Sequence, residues 1–310
     1  MTILIVNHPQ RQCGVQQFGE NIILAAIKYQ KAHTWVYQEC SSETELLASI
    51  SRIKPQVIIY NFFVSVTPWI TKAVVSRYPQ IKHLGIVHEL AQLPLEKQIF
   101  DAVIIPDPTF TAVDSTTFKT SRLVPDFLPS LPPQELTFGS FGFGLGYGKY
   151  VRLIEHIQSE FDNAIVRLNI PNADFADADG KWARSAERAC RSVITKPGIA
   201  LHVSNQFLTR DNLLMWLSAN SLNAFIYDLE TPDTGIASTP DYALAVRRPL
   251  VVNTSHKMRH LKDAHPSICI EHSSLREILA NGTAPLEPFY KWTEENLIHE
   301  YEEIVSAVYN

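Results

Sequence analysis

The chain has 310 residues, 45% of them hydrophobic and 19% charged, with a formal net charge of -5. That length suits two domains of about 150 residues, the composition suits a packed core, and the excess of acid leaves no basic field for a duplex nucleic acid. No apolar run reaches the roughly 18 residues of a membrane span, the opening MTILIVNH lacks the basic start of a signal peptide, and Cys13, Cys40, Cys190 and Cys269 are too scattered for a disulfide framework or a zinc site, which points to the reducing cytoplasm.

Short apolar runs then alternate with helix-like spacers. Residues 3–6, 35–37, 57–60, 84–87 and 102–105 are β-branched, apolar on both faces and bounded by Asn, His, Pro or Asp. Strands buried on both sides of a parallel sheet have this character. The first spacer carries Val15, Phe18, Ile22, Ala26 and Tyr29 at helical spacing. Pro125, Pro129, Pro132 and Pro133 then crowd residues 124–135, where no sheet interior can run. An interdomain linker belongs there.

The pattern restarts with strands expected at residues 137–141, 165–168, 200–203, 224–227, 250–252 and 267–270. Residues 174–196 are polar and alanine-rich, and read as a loop followed by a surface helix. The end of the chain has Thr293 as a cap, two acids in the first turn, and Leu297, Tyr301, Ile304, Val305 and Val308 on one helical face. The fold class is therefore α/β, with two Rossmann-like parallel sheets facing a cleft. Residues 1–130 form the first domain, 131–290 the second, and 291–310 a terminal helix. Open α/β sheets bind ligands at the carboxyl ends of their strands, so the loops after strands carry the candidate chemistry.

Four such loops stand out. Residues 7–15 turn from the first strand into the first helix, and Gly14 there allows close approach of backbone and ligand or serves an ordinary turn. Gly139, Gly142, Gly144, Gly146 and Gly148 precede Lys149 and a helix. This is a phosphate-facing loop or a flexible surface one, without the spacing of a Walker motif. After residue 228 come Asp233, Gly235, Ser238, Thr239, Pro240, Asp241 and Tyr242. Ser238 or Thr239 caps a helix with Pro240 in its first turn, so residues 241–246 aim amides and a helix dipole at a diphosphate. The alternative is a capped structural helix in which Asp241 serves only the dipole. His88-Glu89 closes the fourth strand, where an imidazole binds a hydroxyl, acts as a base near neutral pH, or is structural. Asp177-Ala178-Asp179 follows no strand, and His256 with His260 lacks a third ligand, so neither makes a metal site.

This layout resembles the GT-B glycosyltransferases of the family 4 type. Cys13-Gly14-Val15 is similar to their first glycine loop, His88-Glu89 to the pair ending their fourth strand, Gly139 and Lys149 to the opening of their second domain, and Tyr242-Ala243-Leu244-Ala245 before Pro249-Leu250-Val251-Val252 to their nucleotide-binding helix and following strand. The family's two glutamates fall on Thr234, next to Asp233, and on Tyr242, next to Asp241, and its glycine before the last strand falls on Arg247.

The resemblance implies a terminal helix that returns to the first domain. It also implies transfer of a sugar from a UDP-, GDP- or dTDP-sugar to a glycan, lipid or small-molecule acceptor. Neither a separate cofactor nor a metal is needed, because helix dipole and lysine balance the charge. Gly14, Gly142, Gly144 and Asp233 would line the donor site. Gly235, Ser238 and Thr239 would hold the diphosphate, Lys149 the leaving group, Asp241 or Tyr242 the ribose, and His88 the transferred sugar or acceptor. A nucleotide-sugar epimerase and a non-catalytic glycosyltransferase-like partner subunit are the rival readings. The first would convert donor without acceptor, and the second would bind little or no donor.

Overall fold

The computed structural model of the protein describes residues 1–128, 131–172, 177–227 and 234–309, which fall into two units. The first contains residues 1–123, 234–236 and 292–309, and the second contains the rest. The division between Leu123 and Val124 comes ahead of the expected one at residue 130. The chain is held to the first unit up to that point: the N–H and hydroxyl of Ser121 donate to Glu300 at 2.7 and 2.9 Å, and Leu123 is buried in that unit's core.

The first unit is a six-stranded parallel sheet, ordered β2-β1-β3-β4-β5-β6. Its strands are β1 (Thr2–Asn7), β2 (Thr34–Glu39), β3 (Val57–Tyr60), β4 (Lys82–Ile86), β5 (Ala102–Ile105) and β6 (Thr117–Lys119). Between them run α1 (Gly14–Tyr29), α2 (Glu43–Ile53), α3 (Lys72–Val75) and α4 (Leu93–Ile99). Strand alternation sorts the side chains into two cores. Ile3, Ile5, Val57, Ile59, Leu84, Ile86 and Ile104 point to one face, against Phe18, Ile22 and Ala26 of α1. Leu4, Val6, Ile58, Tyr60, Val103 and Ile105 point to the other, against residues of α2, α3 and α4. Burial on both faces is why these strands read as unbroken apolar runs.

The second unit is a five-stranded parallel sheet, ordered β11-β10-β7-β8-β9. Its elements are β7 (Thr137–Phe141), α5 (Gly148–Glu160), β8 (Ala164–Asn169), α6 (Lys181–Ser192), β9 (Ile199–Ser204), α7 (Arg210–Ser218), β10 (Leu222–Phe225), α8 (Thr239–Ala245), β11 (Leu250–Val252) and α9 (Leu275–Asn281). The expected strand at residues 267–270 reduces to a single bridge between Val252 and Cys269. Pro266 has no N–H to add to a ladder, and the amides of His272 and Ser273 turn back onto the Cys269 carbonyl. The surface helix expected within 174–196 is α6. Asp177 caps it by accepting the Trp182 and Ala183 amides at 2.8 and 2.9 Å, which gives the D-x-D aspartate a structural task.

The terminal helix α10 (Glu294–Tyr309) packs on α1 in the first unit. Thr293 caps it through its hydroxyl, 3.1 Å from the Asn296 amide. Leu297, Ile298, Tyr301 and Val305 are fully buried in the core that α1 shares. Buried side chains of this size each contribute roughly 1.5–3 kcal/mol, so the helix is integral to the first unit.

Candidate functional site

At the carboxyl edge of the first sheet, three adjacent strands each deliver polar side chains. β1 ends in Asn7 and is followed by His8, β3 is followed by Asn61, and β4 by Val87, His88 and Glu89. Asn7 donates to the Gln16 carbonyl at 2.9 Å and to the Tyr37 hydroxyl at 3.0 Å. Asn61 donates to the Val15 carbonyl at 2.5 Å and to Asn7 Oδ1 at 2.8 Å. Because carbonyls fix which end of each amide carries hydrogen, Asn61 Oδ1 must be an acceptor. It lies 2.7 Å from His88 Nε2, so Nε2 carries the proton and Nδ1 keeps its lone pair. Gly19 permits this packing, since a Cβ there would sit 2.6 Å from the Asn61 amide.

Burial, with smaller contributions from Arg122 and His8, pushes the His88 pKa down to about 3. A group that is neutral so far below pH 7 is a weak proton acceptor there. A neutral imidazole held by Asn61 suits hydrogen bonding more than proton abstraction. Phe18 packs edge-on against its ring at 5.3 Å.

The second unit brings together residues far apart in sequence around one phenol. The Lys149 ammonium lies 5.2 Å from the centre of the Tyr227 ring, and that of Lys257 lies 5.9 Å from it. The Tyr227 hydroxyl is 3.1 Å from Thr239 Oγ1, at the start of α8. Asn253 holds the Tyr227 backbone from both sides, accepting its N–H at 3.1 Å and donating to its carbonyl at 2.7 Å. The Gly142 φ of 141° lies outside the range favoured by other residues, and a Cβ there would come within 3.5 Å of the Lys149 amine. Both ammonium groups thus approach the same aromatic ring, to which each is attracted.

Several expected donor contacts fall elsewhere. Gly235 belongs to the first unit, and its amide donates to Glu89 Oε2 at 2.6 Å. A Cβ on Gly235 would meet the His88 carbonyl at 1.8 Å, so this glycine serves backbone packing instead of offering its N–H to a diphosphate. Asp241 is 1% exposed, 3.9 Å from buried His260, and is not presented to a ribose. Tyr242 is half-buried and packs edge-on against Phe141 at 6.1 Å. Gly144 presses against α6, where a Cβ would lie 2.7 Å from the Ala183 amide, so it too serves packing. Ser238 precedes α8 but makes no side-chain cap, while the neighbouring Ala237 amide donates to the Lys257 carbonyl at 3.1 Å. Gly14 begins α1, and nothing lies within 4 Å of where its Cβ would be. Asp233 lies outside the described residues.

The sequence reading included Asn7 in its first candidate loop without giving it a role, and passed over Asn61, Tyr227 and Lys257. The two asparagines were legible as polar residues directly after apolar strands. Lys257 follows β11 by a few residues, in the kind of loop where ligands of such sheets are held. Among the described residues, no group of three or more His, Cys, Asp or Glu side chains is placed to hold a metal ion, and no helix is long and apolar enough to cross a membrane.

No protein-family model matches the chain, and no curated protein sequence matches it. Solved structures do. HepE from Anabaena, crystallised with UDP and glucose, aligns with a TM-score of 0.66 at 11% identity over 99% of this chain and 99% of that one. An α,α-trehalose-phosphate synthase (UDP-forming) from Burkholderia xenovorans, crystallised with glucose-6-phosphate, aligns at 0.64 and 9% identity over 100% of both chains. The glycosyltransferase VinC in complex with dTDP aligns at 0.56 and 10% identity over 99% of both. The likeness is to the architecture as a whole and does not single out family 4: the chain has the GT-B glycosyltransferase fold.

Proposed function

We propose that the protein is a glycosyltransferase that moves a sugar from a nucleoside-diphosphate sugar to a hydroxyl-bearing acceptor. The observation that carries this reading is the convergence of Lys149 and Lys257 on Tyr227 beside Thr239, within a GT-B fold. When the bond between the anomeric carbon and the donor phosphate breaks, the departing nucleoside diphosphate gains negative charge. Two lysines held in place beforehand stabilise that charge without reorganising, and no metal is assigned a role. The donor phosphates occupy this cluster, with Thr239 and Ser238 as hydroxyl donors and Tyr242 as the residue left to meet the ribose. In the first unit, His88 offers Nδ1 as an acceptor to a sugar hydroxyl. UDP in HepE and dTDP in VinC make these nucleotides the first donors to try.

Calorimetry with UDP, GDP and dTDP tests the assignment. One of the three should bind, and Lys149→Ala and Lys257→Ala should each weaken it about ten- to a hundredfold, the range for losing a charge-assisted hydrogen bond. Unchanged affinity in both variants would remove the site.

A second reading, a binding subunit that turns nothing over, is favoured by buried Asp241 and by the Gly235 amide bonded to Glu89. It predicts little or no nucleotide binding, and no release of free nucleoside diphosphate from any of the three nucleotide sugars.

A further inference from the structure

His8 is 1% exposed, and neither ring nitrogen has a hydrogen-bond partner among the described residues. Its backbone is fixed, because its N–H donates to Asn7 Oδ1 at 3.0 Å, inside the network that also holds Asn61 and His88. It stands at the carboxyl end of β1, one strand over from Asn61 and two from His88. It is near enough that its charge would lower the His88 pKa. The segment it begins leads into α1 at Gly14, whose Cβ position faces open space. Buried polar atoms are nearly always satisfied, and an orphan pair on one ring at a strand's carboxyl end asks for a ligand.

We propose that His8 is a ligand-binding residue of the first unit, and that with His88 it holds separate hydroxyl groups of an uncharged sugar ring. The chemistry of the ring selects the class. Burial lowers the His8 pKa, so the imidazole is neutral and presents one N–H and one bare nitrogen. A hydroxyl donates and accepts, and so satisfies both kinds of atom. A carboxylate only accepts and would leave the bare nitrogen unmet, and an inorganic phosphate would bring a charge that a buried neutral ring does not balance. His88, pinned as the Nε2–H form by Asn61, brings a second bare nitrogen to the same edge. His8 follows β1 and His88 follows β4, two strands along the same edge, and acceptors separated in this way match the spaced hydroxyls of a sugar better than they match a single charged group. The identity of the ligand as a sugar rests on the proposed transfer reaction; the role of His8 in binding does not.

The test uses the full chain with its histidine rings labelled with nitrogen-15. D-glucose, D-galactose, glycerol and inorganic phosphate are added in turn. At least one of the two sugars should shift the His8 and His88 ring resonances, and phosphate should not. His8→Phe removes two unmet polar atoms from the interior, so its thermal midpoint should rise while sugar affinity falls by about tenfold or more. His8→Gln, which keeps a donor and an acceptor, should retain most of the binding. UDP affinity at Lys149 and Lys257 should stay the same in both, which separates this inference from the donor assignment. Absence of any His8 shift with either sugar, a shift with phosphate alone, or full sugar affinity in His8→Phe would overturn it.

Discussion

At the scale of single residues, the same physical signal can have different partners. Gly235 stood out in the sequence as a main-chain donor to a diphosphate. The structure supplies the partner: the His88 carbonyl, with the Glu89 carboxylate receiving the Gly235 amide. That neighbour, 146 residues away in sequence, was not readable from local pattern. Asp241 shows the same limit. Its place in the first turn of a helix suits the dipole, but burial against His260 is a tertiary fact.

Glu96 was not legible as unusual at all, since a glutamate in a short helix reads as surface. It is fully buried on α4, both carboxylate oxygens lack partners among the described residues, and burial pushes its pKa up from 4.5 to about 9. The folded chain therefore holds a proton that the unfolded chain releases. Its contribution to stability is complete below pH 4.5, declines as pH rises, and is lost by about pH 9. Between pH 4.5 and neutrality this amounts to roughly 3 kcal/mol. Glu96→Gln should flatten that slope. Urea unfolding should find the variant close to the parent near pH 5 and clearly more stable at pH 8. Parallel pH profiles would show that the carboxyl is not buried in its neutral form.

At the scale of elements, strands buried on both faces were the most readable part of the chain. Residues 57–60, 102–105, 137–141 and 250–252 match β3, β5, β7 and β11 as they stand, because a doubly buried strand writes itself as an unbroken apolar run. β6 was missed because Thr117–Lys119 is short and has only one well-buried residue, and residues 267–270 were overread because apolarity alone does not provide a ladder partner.

α10 was legible in length, cap and buried face, but one of its polar contributions was not. Glu302 is 5% exposed and accepts the backbone amides of Lys31, Ala32 and His33 at 3.1–3.3 Å, and Trp35 Nε1 at 3.4 Å. It thereby closes the turn between α1 and β2 with a side chain from the far end of the sequence. Glu302→Ala leaves those donors unmet and should cost about 3 kcal/mol of stability. A loss below about 0.5 kcal/mol in denaturant unfolding would mean that water replaces the carboxylate, and that the turn does not depend on α10.

For the whole molecule, two parallel sheets follow from composition and alternation, and the GT-B architecture is shared with solved structures at 9–11% identity. Fold is carried by pattern, and pattern survives when individual residues change. The candidate site was less readable because its members come from separate loops. Lys149, Tyr227, Thr239 and Lys257 meet only once the second sheet is built.

The proposed transfer requires that cluster to seat the donor's phosphates. Thermal unfolding with UDP-glucose, GDP-mannose and dTDP-glucose tests it most directly, because a ligand that binds only the folded chain raises its midpoint in proportion to the logarithm of its concentration. One of the three should raise the midpoint of the parent by several degrees at saturating concentration, and none should raise that of a Lys149→Ala, Lys257→Ala double variant. No rise with any nucleotide sugar, or an equal rise in parent and double variant, would contradict it.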